Sequence, residues 1–245
     1  YGVYLDMVGS GGFGDEKDVA VSADYPSVIA KEVEEEFGKD VISIYYMGFS
    51  GNTNHIDVTD PDTGLPGHYQ RVGRKLAKEL IPSISKIWTS KNPKIKIKNN
   101  TFITDLRIPT DEEIEFSRKV VNDEIEFDTT GDRMFVPKPF CQGIMDSLNR
   151  EDRVTEIELM TVEIGNDALV FWPGEIFVEY GLTIRNTRKG KNTILTGLSN
   201  GTVACYIPTP HGYQNGGYEP KLNGERCVSE ETGTKMTERT IQMLK

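Results

Sequence analysis

Histidine is scarce in this 245-residue chain. There are three, His55, His68 and His211, and no two have the HxxxH spacing of a helical zinc site. Cysteine is as rare: Cys141, Cys205 and Cys227 are too few for a disulfide framework, and none falls in a CxxC spacing. Three reduced thiols and a Cys205–Cys227 pair are both open on sequence alone. No apolar stretch approaches the roughly 20 residues a membrane helix needs, and no secretory leader is visible. Positive charge is in deficit, with a formal net charge of -10 and a pI near 4.9. Such a chain has no general attraction for a phosphate backbone, so nucleic acid is not an expected partner. The local basic run from Lys91 to Lys98 alternates lysine and isoleucine at the strand period, which predicts lysines on a solvent face.

The chain is long enough for a real hydrophobic core, and its charged and apolar content is that of a globular protein. Helical spacing covers Pro26–Phe37, with Gly38 to stop it, and Pro66 to about Trp88. Thr110-Asp111-Glu112-Glu113 is a capping-type start for a helix to about Glu124. Further helices are expected over Lys138–Leu148, Glu175 to about Arg185 and Thr234–Leu244. Strands are expected over Val41–Met47, Lys94–Leu106, Thr155–Ile164, Ala168–Trp172, Thr193–Leu198 and Val203–Ile207, with a hairpin turn at Gly165-Asn166-Asp167. The mixture predicts a single α/β domain with a mixed β-sheet and flanking helices.

Three segments close a predicted strand with glycine, asparagine or an acid. They are Met47-Gly48-Phe49-Ser50-Gly51-Asn52-Thr53-Asn54-His55, Trp172-Pro173-Gly174-Glu175 and Leu198-Ser199-Asn200-Gly201 with its continuation to Glu219. Ligands gather at strand ends in α/β sheets, so all three are candidates for one cleft. Glu175 reads either as a first-turn acid facing a helix dipole or as a ligand or base fixed by Pro-Gly. Tyr206, Tyr213 and Tyr218 read either as loop packing or as phenols for a metal or an oxyanion. His68 reads as a surface residue. His55 and His211 are each open between packing and function.

The segments SADYP (22–26), MGFSGNTN (47–54), WPGE (172–175), LSNG (198–201), YIPT (206–209) and GGYE (216–219) occur in this order. The ordered set resembles the catalytic domain of neutral/alkaline (non-lysosomal) ceramidases and their bacterial relatives. The resemblance covers most of the chain and implies that residues 1–245 are the C-terminal part of that domain. An N-terminal part would then lie upstream of Tyr1.

Members of that family are zinc amidohydrolases. The resemblance implies Zn2+ as cofactor, Glu175 and Tyr206 as metal ligands, and Tyr218 as the group that stabilises the tetrahedral intermediate. Tyr4 falls where relatives carry a ligand histidine. Asn54 falls where ceramidases proper carry a serine. Ser50, Asn52, Asn54, His55 and Asn200 are the candidate substrate contacts. The implied function is cleavage of an N-acyl bond in a small-molecule or lipid substrate by a metal-activated water, in an extracytoplasmic or secreted setting. Two alternatives stay open: a relative with lost or altered metal chemistry that serves as a binding or structural protein, and a zinc hydrolase of another ester or amide. Oligomeric state is not legible.

Overall fold

The computed structural model describes residues 4–7, 19–54, 59, 67–87, 89–125, 138–201, 203, 205–222 and 226–245, with the side chains of 1–22 not described. The chain divides into two compact units, residues 1–45 with 54–91, and residues 46–53 with 92–245.

In the first unit, β1 (Tyr4–Met7) pairs antiparallel with β2 (Val19–Ser22). Helix α1 (Asp24–Phe37) packs against α2 (His68–Ile84). The two approach closely at Gly73, where an added Cβ would lie 2.5 Å from Val28 Cβ. Val33 and Ala77 are the buried residues of these helices alongside Gly73. The Tyr25 and Tyr45 hydroxyls bond at 2.6 Å, and their rings meet edge to face.

The second unit is built on a four-stranded sheet of β3 (Ile95–Asp105), β4 (Val154–Ile164), β5 (Asp167–Phe171) and β7 (Thr193–Thr196), in that order. β3, β4 and β5 run antiparallel, and β5 pairs parallel with β7. The sheet is therefore mixed, as predicted. Between β3 and β4 lie α3 (Asp111–Val121) and α4 (Lys138–Ser147). Helix α3 starts at a complete capping box: Thr110 Oγ1 accepts from the Glu113 N–H, and the Glu113 carboxylate accepts from the Thr110 N–H. Acids fill its first turn and Arg118 and Lys119 its last, matching the helix dipole at both ends.

A second, two-stranded parallel sheet pairs β6 (Glu175–Ile176) with β8 (Tyr206–Ile207). Helices α5 (Val178–Thr187), α6 (Pro210–Asn215) and α7 (Thr232–Met243) complete the unit. Helix α7 packs on β3, β4 and α5. Trp172 is fully buried among Phe49 and Tyr180, at ring separations of 4.9 and 6.3 Å, and its indole N–H donates to Thr240 Oγ1 at 2.9 Å. All three cysteines are buried thiols, so Cys205 and Cys227 are not paired as a disulfide.

Three expectations are corrected. Val41–Met47 forms no strand; Ile42 is 84% exposed, and a run of β-branched residues stays irregular where no strand pairs with it. Glu175 lies in β6 and not in a helix, because its backbone N–H donates to the Cys205 carbonyl at 3.0 Å and holds it in a ladder. On β3 the faces are reversed. Ile95, Ile97 and Ile103 point outward and are about two-thirds exposed. Lys98 turns in to donate to the Met243 carbonyl at the end of α7, and Lys96 approaches Glu163.

Candidate active site

The three glycine-bearing segments meet within the second unit, as expected for one cleft. The Gly51 N–H donates to the Ile176 carbonyl (2.8 Å), the Leu198 N–H to Gly174 (3.0 Å), and the Gly197 N–H to Met47 (3.0 Å). Ser199 bonds the Trp172 carbonyl through both its N–H and its hydroxyl, at 3.0 and 3.2 Å. The approach is too close for side chains: a Cβ on Gly51 would lie 2.4 Å from the Glu175 carbonyl oxygen. Gly174 turns in the left-handed region, at φ 83°, where glycine carries no Cβ penalty.

These turns deliver Glu175 opposite Tyr206 in register across β6 and β8. The Glu175 carboxylate is near enough to the Tyr206 phenol to oppose its ionisation. The Tyr218 ring stands edge-on to Tyr206 at 5.8 Å and 77°. Burial pushes the Tyr206 phenol well above the usual tyrosine range, and the neighbouring Glu175 carboxylate pushes it further, with Tyr218 and Glu219 adding to the effect. Tyr206 is therefore a firmly protonated donor at neutral pH. Two carboxylates and two phenols share this corner: Glu175, Glu219, Tyr206 and Tyr218. Glu219 carries no role in the sequence reading, although GGYE ends on it; its distinguishing signal is its electrostatic influence on Tyr206.

The remaining candidates are placed as follows. Asn52 serves helix α5: its Oδ1 accepts from the Val178 N–H at 2.9 Å, and its Nδ2 donates to both Glu179 carboxylate oxygens, at 3.0 and 2.9 Å. The Ser50 carbonyl closes the turn by accepting from Thr53 N–H and Oγ1. Asn200 adopts φ 60°, and its Nδ2 is buried with no hydrogen-bond partner among the described residues. Asn54 is exposed and falls in the first unit. Tyr4 lies on β1 in that same unit, with its side chain undescribed, and His55 lies outside the described residues. His68 opens α2 half-buried, and His211 on α6 is exposed and bonds Asn215 at 3.0 Å.

Glu175 and Tyr206 are register partners that both offer oxygen donors, the kind a hard or borderline cation takes. A tetrahedral zinc centre needs more donors than these two, and among the described residues no group of three or more His, Cys, Asp or Glu gathers to hold a metal. The arrangement as it stands is a carboxylate beside a protonated phenol, with a second phenol edge-on to the first. Such a set can position a water, hold a proton or donate to a developing oxyanion.

The fold of this chain is that of a portion of neutral ceramidases. Over 91% of its length it matches neutral ceramidase from Pseudomonas aeruginosa, with a TM-score of 0.60 and 14% identity, and covers 40% of that chain. It also matches a ceramidase solved in complex with C2, with a TM-score of 0.57 and 12% identity, again over 91% of its length and 42% of that chain. The chain thus spans about two-fifths of the length of these structures. No protein-family model and no curated protein matches the sequence.

Proposed function

We propose that this chain is the C-terminal portion of a ceramidase-type amide hydrolase that cleaves the N-acyl bond of a lipid or small-molecule substrate. The observation that carries the reading is the in-register pair of Glu175 and Tyr206 with Tyr218 beside it. The ordered motifs assign those three residues their roles, and the shared fold supports the assignment. Glu175 and Tyr206 are the residues that would hold zinc, with Tyr4 at the position of a further ligand. Zinc, when bound, supplies a water that ionises near neutral pH and polarises the acyl carbonyl. Tyr218, 44% exposed, donates its phenolic hydrogen to the carbonyl oxygen as that atom takes on charge. Asn200 offers its uncommitted Nδ2 to a polar group of the substrate. An extracytoplasmic setting belongs to the same proposal.

A second reading has its own observation. Tyr4 stands where relatives carry a ligand histidine, which fits a relative with lost or altered metal chemistry that serves as a binding or structural protein.

The two separate by zinc analysis on the longest natural chain that contains these residues. The hydrolase reading expects about one zinc per chain, lost in Glu175→Ala and Tyr206→Phe. It also expects release of fatty acid from a short-chain ceramide, with kcat reduced roughly 100- to 1,000-fold in Tyr218→Phe. A zinc-free protein establishes the binding reading. Zinc without ceramide turnover assigns the chain to another amide or ester substrate.

A further inference from the structure

We propose that Asn52 is a positioning residue for the Glu175–Tyr206 corner. It acts by holding the end of the strand that carries Glu175. Its consequence for catalysis rests on the amide-hydrolase reading above; its effect on the placement of Glu175 does not.

Strand β6 is only two residues long, Glu175–Ile176. A strand that short has few ladder bonds of its own, so the segments that flank it decide where it lies. On one side it is led in by Pro173-Gly174. On the other it runs straight into α5, whose N-cap is Phe177. That side chain makes no capping bond, because a benzyl group has no acceptor. The first N–H groups of a helix need acceptors from outside it.

Asn52 supplies one from the Gly48–Asn52 turn. Its Oδ1 accepts from the Val178 N–H at 2.9 Å, and its Nδ2 donates to both Glu179 carboxylate oxygens, at 3.0 and 2.9 Å. The preceding residue bonds β6 itself, from the Gly51 N–H to the Ile176 carbonyl at 2.8 Å. Residues 176, 178 and 179 are thus tied to residues 51 and 52, and Glu175 stands one position from the first tie. The side-chain type matters. A carboxamide offers an acceptor to a backbone N–H and a donor to a carboxylate at once, whereas an ionised aspartate offers acceptors alone. Asn52→Asp keeps a good helix cap but sets a second negative charge against Glu179.

The test uses the longest natural chain that contains these residues, with tyrosine carbon-13 labelled at Cζ and NMR spectra taken at neutral pH. The Tyr206 resonance, assigned with Tyr206→Phe, reports whether the Glu175 carboxylate stays beside the phenol. Glu175→Gln gives the resonance position without that charge. In Asn52→Asp the resonance is expected to move toward the Glu175→Gln position. In Asn52→Asp combined with Glu179→Gln it is expected to return, because the new carboxylate then accepts from both the Val178 N–H and the new amide. With a short-chain ceramide, Asn52→Asp is expected to lower kcat roughly 10- to 100-fold while KM changes far less, and the double variant to restore it. A role confined to capping α5 predicts a silent Asn52→Asp, since aspartate caps as well as asparagine. An unmoved resonance in Asn52→Asp, or no return in the double variant, overturns the proposal. Should Asn52→Asp fail to fold, Glu179→Ala at an exposed position removes the same tie. It is expected to move the resonance in the same direction, and an unmoved one overturns the proposal. Absence of ceramide turnover in the unaltered protein removes the hydrolase reading alone, and the resonance still decides the role of Asn52.

Discussion

A carboxylate beside a buried phenol makes that phenol harder to ionise, and Tyr206 has such a neighbour in Glu175. Glu175→Gln keeps the shape and removes the charge. The Tyr206 ionisation is then expected to move to lower pH, because no anion opposes the phenolate. It stays above the free-tyrosine value, because burial, the larger cause, persists. A spectrophotometric titration at the tyrosinate band, with Tyr206→Phe to identify the signal, reads this directly. An unchanged profile in Glu175→Gln means that the carboxylate does not face the phenol. At this scale the sequence was informative about which side chains meet. Pro173-Gly174 before an acid, and a tyrosine-rich glycine loop, drew attention to Glu175, Tyr206 and Tyr218, and the fold brings those residues together. Asn52 is different: an asparagine in a glycine turn looks the same whether it serves a substrate or, as here, the start of α5.

Among elements, the position of β6 depends on how tightly the Gly48–Asn52 turn can approach it. Gly51→Ala places a methyl 2.4 Å from the Glu175 carbonyl oxygen and 2.9 Å from its carbon. These are backbone atoms, so no side chain can swing away. The expected cost is about 1–3 kcal/mol of stability, at the upper end for lack of relief, read as a lower urea midpoint. The same variant is expected to lower the Tyr206 ionisation by pulling Glu175 away. Loss of stability without that second effect places the strain elsewhere. Local signals served well where the determinant is local: the Thr110–Glu113 capping box, the Gly165 turn and the helix closing the chain were all legible. They failed where a distant partner decides. Val41–Met47 has strand propensity but needs a neighbouring strand. Glu175 and Ile176 read as helix until Tyr206 and Ile207 pair with them. On β3 the alternation separates lysine from isoleucine but cannot say which face is packed. Helix α7 decides it by covering the face that carries Lys98, Phe102 and Thr104.

For the 46–53 and 92–245 unit as a whole, three phenols make stability depend on alkaline pH. Burial is the first cause of the upward shift at Tyr180, Tyr206 and Tyr213, and it takes Tyr180 to about 12. In the unfolded chain these groups ionise near 10. Below that value both states hold the proton, and the stabilising difference is fully present. Above it the unfolded state releases protons first, so stability falls as pH rises. The fall amounts to about 1.4 kcal/mol per pH unit for each such phenol, until the folded one ionises too. Lys98 and Lys221, whose pKa values burial lowers, act in the opposite sense up to the ordinary lysine range. The phenol effect is therefore cleanest above about pH 10.5. Urea midpoints followed by the fluorescence of the buried Trp172 should drop steeply from there to about pH 12. In Tyr180→Phe the protein is less stable at neutral pH, having lost the hydrogen bond to the Pro208 carbonyl (3.0 Å), yet its alkaline slope should be shallower by one phenol's share. An identical slope in the variant would show that Tyr180 ionises alike in both states, and that its burial does not govern the alkaline limit of the fold.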